Sequence, residues 1–428
     1  MFGSGGTTGL QKTTGHRVVV PFYVYGALSF LLAAGLLLAS TEAAGEHYFH
    51  PPTLAITHLM ALGWGTMIIL GASHQLVPVL IEGRLYSEKL AGASFVLAAV
   101  GIPLLVVGFY TFHTGWPMQW GGILVNAAVL CYLVNVAGSI REKKTRDVYA
   151  YFILGATLWL LATTGFGLLL VYNFSYSFLS KDSLAYLSIH AHMGLAGWFL
   201  LLVVGVGSRL IPMFLVSKYV NKGRLWTIFA LLNTGLLGFI TLKSQPGAGA
   251  SSYTPFVLVA VGLGLFVHYC SRAYRERIRK QVDDPMKISL LSVALLALPI
   301  LSLLVVILFV SREPRSNMVL LYGFCIFFGW ITAIILGMTF KTLPFIIWNK
   351  VYHHKSGSGK SPALKDLFSD RLVRWMGISY LAGFSIFIVG LIVLNDYLLK
   401  AGAAALLASA VFYVWNVGIV VFHQPRNV

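Results

Sequence analysis

Long apolar runs separated by short polar segments dominate the chain. A helix needs about 20 mostly apolar residues to cross the hydrocarbon core of a bilayer, and twelve runs reach that length. They lie at approximately 18–41, 53–80, 90–112, 119–140, 148–174, 184–216, 225–243, 255–273, 288–311, 317–348, 372–395 and 398–422. Only helices and closed barrels satisfy every backbone polar group in lipid. Runs this long and continuous therefore predict an all-α, polytopic membrane protein with twelve transmembrane helices.

One sequence pattern occurs three times, in the segments 57–78, 191–212 and 323–344. Each segment carries a Gly-Trp pair around Trp64, Trp198 or Trp330, followed by a glycine suited to close helix packing and a proline suited to a helix end. The segments fall in spans 2, 6 and 10, which predicts three four-helix repeats with pseudo-threefold symmetry in a single integral membrane domain. The predicted divisions are a cytoplasmic N-terminal tail at 1–17, then repeats at 18–147, 148–287 and 288–428.

The composition and charge agree with a membrane location. Of 428 residues, 57% are apolar and 11% are charged, against about 25% charged residues in soluble proteins. This excludes a soluble enzyme, a disordered regulator and a secreted disulfide scaffold. The net charge of +17 is concentrated on one side of the predicted membrane. The other side holds five of the 31 basic residues, namely Lys181, Lys243, Arg312, Arg315 and Lys400.

This asymmetry predicts the orientation of the chain. Cytoplasmic loops are enriched in Lys and Arg, so both termini are expected in the cytoplasm. A prokaryotic inner membrane suits such a multi-pass protein. Because the basic charge follows the topology, the sequence indicates a lipid bilayer and no nucleic acid as its partner.

The candidate chemistry lies in three histidines near the outer ends of spans 2 and 6. His58 and His192 both stand six positions before the repeat tryptophan, where the third repeat has Phe324, and His190 precedes His192 by two residues. Ionisable residues inside a membrane are costly and usually functional, and neutral imidazole is a standard ligand of haem iron and copper. Helix-start hydrogen bonds are the structural alternative.

At matched depth, His58 and His192 could clamp one haem b iron from both faces, with His190 facing the adjacent pore. Because spacing does not fix the rotation of a helix, the choice between His190 and His192 as axial ligand stays open. The outer-loop residues His47, His50 and His113 are weaker candidates, for a second metal site or for contacts to haem propionates, and a solvated loop is the alternative. No Cys-x-x-Cys-His sequence occurs, which argues against a covalently attached haem.

With twelve helices in three four-helix arcs and histidines on spans 2 and 6, the chain resembles subunit I of the haem–copper oxidase superfamily, which includes cytochrome oxidases and nitric oxide reductases. The resemblance implies that His58 is the span-2 ligand of a low-spin haem and that His190 or His192 lies on the copper-ligand helix. Span 10 departs from the family pattern, because Phe324 and Cys325 stand where the family has histidines, and span 7 has no histidine. The resemblance therefore implies a divergent member without a conventional haem–copper centre.

The expected function is that of a membrane haem b protein with a redox role, in electron transfer or in the binding or reduction of nitric oxide or oxygen. This would make the chain an oxidoreductase of the cytochrome oxidase or nitric oxide reductase type, fed by a cytochrome or quinol and working with a partner membrane subunit. Two alternatives remain. One is copper or other metal handling, in which Met60, Met118 and Met193 add soft ligands, and the other is a cofactor-free scaffold or assembly subunit.

Overall fold

The computed structural model describes residues 14–81, 83–142, 147–244, 253–278, 280–305, 316–352 and 362–424. These ranges contain no strand and include twelve helices that are long and apolar enough to cross a membrane. The helices are α1 His16–Ala39, α2 Pro51–Leu80, α3 Glu88–Tyr110, α4 Trp116–Arg141, α5 Val148–Tyr176, α6 Ser183–Leu215, α7 Lys222–Ser244, α8 Thr254–Arg275, α9 Asp284–Val305, α10 Ser316–Tyr352, α11 Asp370–Val393 and α12 Asp396–Val421. The predicted all-α, multi-pass architecture is confirmed. Most of the N-terminal tail (1–13), Arg312 and Arg315 lie outside the described residues.

The three helices that carry the repeated segment form the centre of the bundle. Within their most apolar stretches, 72% of the residues of α2, 72% of α6 and 61% of α10 are buried, whereas the other nine helices range from 22% to 44%. Two indole–hydroxyl hydrogen bonds join the central helices to one another. Trp64 Nε1 donates to Thr332 Oγ1 at 3.1 Å, and Trp198 Nε1 donates to Thr66 Oγ1 at 3.0 Å. The remaining helices surround this centre, and α12 packs against α1.

Each central helix widens into a π-helical turn around its Gly-Trp pair. The turns span Leu59–Thr66 in α2, Met193–Leu200 in α6 and Cys325–Ile331 in α10. π-Helical turns are rare in proteins, and those that occur often lie at functional sites. All three begin at the residue directly after the position six before the tryptophan.

The repeated glycines allow the central helices to approach the first helix of their own repeat. A Cβ atom on Gly71 would lie 2.6 Å from Cβ of Phe22 on α1. Gly205 meets Phe152 on α5 in the same way, and Gly337 meets Ser289 on α9. The expectation that each repeated proline ends its helix is wrong for the third repeat, because α10 continues past Pro344 to Tyr352.

The outer surface of the bundle is apolar along its length. Large side chains such as Val96, Val107, Leu301 and Ile378 are more than half exposed. A soluble protein rarely exposes such side chains in this number, whereas a lipid bilayer accommodates them.

We call the end of the bundle where α2, α6 and α10 begin the histidine end.

Candidate functional site

A cavity of about 1710 Å³ occupies the histidine end of the bundle, between the three central helices and their neighbours. Small-molecule pockets typically measure about 300–1,000 Å³, so this cavity has room for a large organic group. Its described lining is mostly apolar, and its polar side chains include His58, His190, His192 and Tyr322. The three imidazoles are half-buried, and all three line the cavity.

The first pocket of this cavity is formed by His58, His190 and Phe109. The ring of His58 faces the ring of His190 with centroids 6.4 Å apart and planes 22° from parallel. Phe109 on α3 stacks on His58 at 4.1 Å, with planes 17° from parallel. The pocket therefore places two imidazoles from adjacent central helices opposite each other beside one aromatic wall.

The orientation of His58 is fixed by its own helix. His50 precedes α2, and Pro51 and Pro52 occupy its first turn, where a proline costs no backbone hydrogen bond. One turn later, His58 Nδ1 lies 2.8 Å from the carbonyl oxygen of Leu54. A carbonyl oxygen only accepts, so Nδ1 carries the hydrogen and Nε2 keeps its lone pair. Metal-bound histidines are oriented by this kind of second hydrogen bond.

His190 presents a ring nitrogen without a hydrogen-bond partner. Its Nδ1 is buried and unpaired, which costs free energy unless a ligand satisfies the atom. On α5, Gly167 makes room for this ring, because a Cβ there would lie 2.7 Å from Cε1 of His190. The side chain of Asp182 accepts a hydrogen bond from the backbone N–H of Ala185 at 2.9 Å and caps the helix that carries His190.

The second pocket is formed by His192, Phe239 and Tyr322. His192 Nδ1 lies 2.8 Å from the carbonyl oxygen of Ser188, four residues earlier, as His58 does from Leu54. Phe239 on α7 lies 4.8 Å from the ring of His192, and Tyr322 on α10 faces it at 6.0 Å with planes 21° from parallel. Here the hydroxyl of Tyr322 lies 3.3 Å from His192 Nε2.

The third repeat places apolar side chains at the equivalent positions. Phe324 stands where the first two repeats have His58 and His192, and it stacks on Phe387 of α11 at 4.4 Å. Phe328 and Phe384 add further parallel rings at 5.1 and 5.6 Å from Phe324. Ile56 on α2 occupies the position that corresponds to His190 and Tyr322. The place equivalent to the two pockets at the third interface, between Phe324 and Ile56, therefore contains neither histidine nor tyrosine at these two positions.

The structure pairs the predicted histidines differently from the sequence-based expectation. His58 faces His190, whereas His192 faces Phe239 and Tyr322 in the other pocket. The physical reason is the arrangement of the repeats around a central axis. Equivalent positions on successive central helices point into successive pockets, so His58 and His192 lie at matched positions and do not meet.

The weaker candidates His47, His50 and His113 do not form a metal cluster. His47 is exposed and packs on Tyr48 at 4.0 Å, and its Nδ1 accepts a hydrogen bond from the backbone N–H of Phe49. His113 is exposed in the turn after α3. His50 has a buried, unpaired Nδ1, and it does not line the cavity. Across the described ranges, no group of three or more His, Cys, Asp or Glu side chains is arranged to hold a metal ion.

Two lysines give the cavity a positive charge. Lys181 and Lys243 line it, whereas the described lining contains no Asp or Glu. Neither lysine forms an ion pair with a described residue. The cavity therefore suits a largely apolar ligand that carries negative charge at one edge.

Sequence reasoning missed the residues that complete the two pockets. Phe109 and Phe239 belong to the outer helices of their repeats, and nothing in their local sequence distinguishes them from lipid-facing aromatics. Tyr322 had a detectable signal, because it stands eight positions before Trp330 just as His190 stands eight before Trp198.

Comparison with known proteins adds no family assignment. No protein-family model matches the sequence, and no curated protein matches it.

Proposed function

We propose that the chain is a membrane haem protein in which His58 and His190 are the axial ligands of one haem b. The observation that carries this proposal is the pair of facing imidazoles, 6.4 Å apart between centroids, in a large apolar cavity. A metal–imidazole bond is about 2.0–2.1 Å long, so two rings that share one metal ion have centroids about 6 Å apart. The hydrogen bond from His58 to Leu54 and the unpaired Nδ1 of His190 leave a nitrogen on each ring for such a bond.

The donor set favours a metal in a porphyrin over a bare metal ion. Structural and catalytic ions bound only by protein need three or four side-chain ligands, and the described residues offer no such group. A porphyrin supplies four nitrogens of its own, so one or two imidazoles are enough. The apolar walls fit the macrocycle, and Lys181 and Lys243 fit the carboxylates at its edge.

A haem iron with two imidazole ligands undergoes one-electron reduction and oxidation, which suits electron transfer. The residues of the chain contribute the orientation of both rings, the exclusion of water by the apolar lining, and the positive charge of the two lysines. A role in nitric oxide or oxygen binding or reduction would need one of the two imidazoles to leave the metal.

The proposed setting is a prokaryotic inner membrane with both termini in the cytoplasm. The basic residues support it, since Arg272, Arg275 and Arg277 cluster at the end of α8, on the side opposite the histidine end. Electrons would then come from a cytochrome or a quinol, and a partner membrane subunit would be one way to deliver them.

The test is a reduced-minus-oxidised absorption spectrum of the purified chain, with haem and metals quantified in the same sample. We expect a haem b spectrum at one haem per chain, lost in His58→Ala and His190→Ala and retained in the matched control His192→Ala. Copper without porphyrin would contradict the proposal and favour metal handling. A colourless, metal-free protein from cells with an adequate haem supply would leave the scaffold alternative.

A further inference from the structure

The polar groups of the second pocket form a hydrogen-bonded pair. His192 Nδ1 donates to Ser188, so its Nε2 accepts the hydrogen bond from the hydroxyl of Tyr322 at 3.3 Å. This distance is at the long end of the range for hydrogen bonds, and a ligand with its own donor or acceptor can replace the contact. In the first pocket, by contrast, Nδ1 of His190 has no partner. The second pocket thus offers one acceptor and one donor, side by side, where the first offers metal ligands.

The walls of the second pocket suit a flat ring. Phe239 lies 4.8 Å from His192 and presents an aromatic face beside the pair. Gly235, one turn earlier on α7, and Ala260 on α8 also line the cavity. A planar group would therefore find an aromatic ring beside the hydrogen-bonding pair.

Helix α9 lies between the cavity and the outer surface of the bundle. Helix α9 is interrupted at Leu296, and Leu296, Pro299 and Ile300 line the cavity. On the same short helical segment, Leu301 is 56% exposed on the outer surface. Helix α9 is also the least buried of the twelve helices, so this wall of the cavity is the one most exposed to the surrounding lipid.

We propose that the second pocket binds the head group of a lipid-soluble quinone or quinol. Nε2 of His192 would accept a hydrogen bond from a quinol hydroxyl, Tyr322 would donate to a quinone carbonyl, and Phe239 would contact the face of the ring. The described lining contains no Asp or Glu, which disfavours a cation. The role of such a ligand as an electron donor rests on the proposed function, whereas its binding does not.

The experiment is a calorimetric titration of the detergent-purified full chain with ubiquinone-1, a quinone with one isoprenoid unit. We expect saturable binding at one quinone per chain. Tyr322→Phe should weaken binding about tenfold, because it removes the hydroxyl that donates to the quinone carbonyl in an apolar site. Tyr25→Phe is the matched control, since Tyr25 is a partly buried tyrosine of α1 that does not line the cavity.

The outcomes separate this inference from the haem assignment. Binding that survives in His58→Ala, or in a colourless wild-type protein, supports the quinone pocket even if the proposed function fails. No saturable binding by folded wild-type protein overturns the inference. So does binding that Tyr322→Phe does not weaken, with folding verified by size-exclusion chromatography, or a second haem that is lost in His192→Leu.

Discussion

Trp64 of α2 donates its indole hydrogen to the hydroxyl of Thr332 on α10, and the same bond recurs between Trp198 of α6 and Thr66 of α2. In each bond the acceptor stands two positions after the tryptophan of the neighbouring central helix, Thr332 after Trp330 and Thr66 after Trp64. At the third interface Leu200 stands in the acceptor position opposite Trp330, and a leucine cannot accept. The central helices are therefore related by a rotation about a common axis. Two of their three interfaces contain the same indole–hydroxyl hydrogen bond.

Thr332→Val tests the energetic weight of this relationship. The substitution removes one hydroxyl, which accepts the hydrogen bond from Trp64 and donates to the carbonyl oxygen of Phe327 within the π-helical turn. We expect the free energy of unfolding to fall by about 1 kcal/mol, in line with interhelical hydrogen bonds in membrane proteins. The measurement is reversible denaturation in mixed micelles. Thr227→Val, at an exposed position on α7, should change the value much less, and equal losses in both variants would contradict the prediction.

Gly167→Ala tests whether the position of His190 matters for the proposed haem. The new Cβ would lie 2.7 Å from Cε1 of His190, closer than carbon atoms approach, so the ring must move away from its present place opposite His58. We expect a folded protein with most of its haem absorption lost. Gly165→Ala on the same helix is the control, because its Cβ would meet only Oδ1 of Asn126 at 3.7 Å. Full haem content in Gly167→Ala would indicate that His190 is not a ligand.

Tyr322→His tests the rotational equivalence of the two pockets. The residue occupies the position that His190 holds in the first pocket, and its neighbour His192 is anchored to Ser188 as His58 is to Leu54. The substitution therefore creates a second pair of facing imidazoles. We expect the haem content, measured by pyridine haemochrome, to rise from one toward two per chain. A folded variant that stays at one haem would show that the pockets differ in more than this side chain.

Lys181→Ala tests the contribution of the positive charge that lines the cavity. An exposed charge pair contributes up to about 1 kcal/mol, so we expect haem affinity to fall up to about fivefold and the effect to shrink at high salt. Haem transfer to apomyoglobin at two salt concentrations measures this. Lys400→Ala is the control, because Lys400 pairs with Asp396 at 2.6 Å and does not line the cavity. Equal effects of the two substitutions would show that Lys181 does not contribute to haem binding.

The membrane architecture could be predicted from the sequence because bilayer thickness imposes a length on every apolar run. Hydropathy alone yields twelve helices close to the observed bounds, and the spacing of Trp64, Trp198 and Trp330 identifies the helices that form the centre. The length of an apolar run and the spacing of a repeated residue can be read without knowing how each helix is rotated about its axis.

The pairing of the histidines could not be predicted, because it depends on rotation about the helix axes. His58 and His192 share a repeat position, and sequence spacing suggests equal depth without revealing that the two rings face different pockets. The π-helical turns that follow both residues also change the helical phase. Tyr322 becomes a candidate only when the third repeat is superimposed on the second, because Tyr322 then occupies the position of His190.

Electron paramagnetic resonance of the oxidised wild-type protein, compared with His190→Ala and His192→Ala, tests most directly whether His58 and His190 bind one haem iron. We expect a low-spin ferric signal of a bis-imidazole haem in wild type, unchanged in His192→Ala and replaced by a high-spin signal or lost in His190→Ala. A low-spin signal that survives in His190→Ala and disappears in His192→Ala would contradict the assignment of His58 and His190 as the ligand pair.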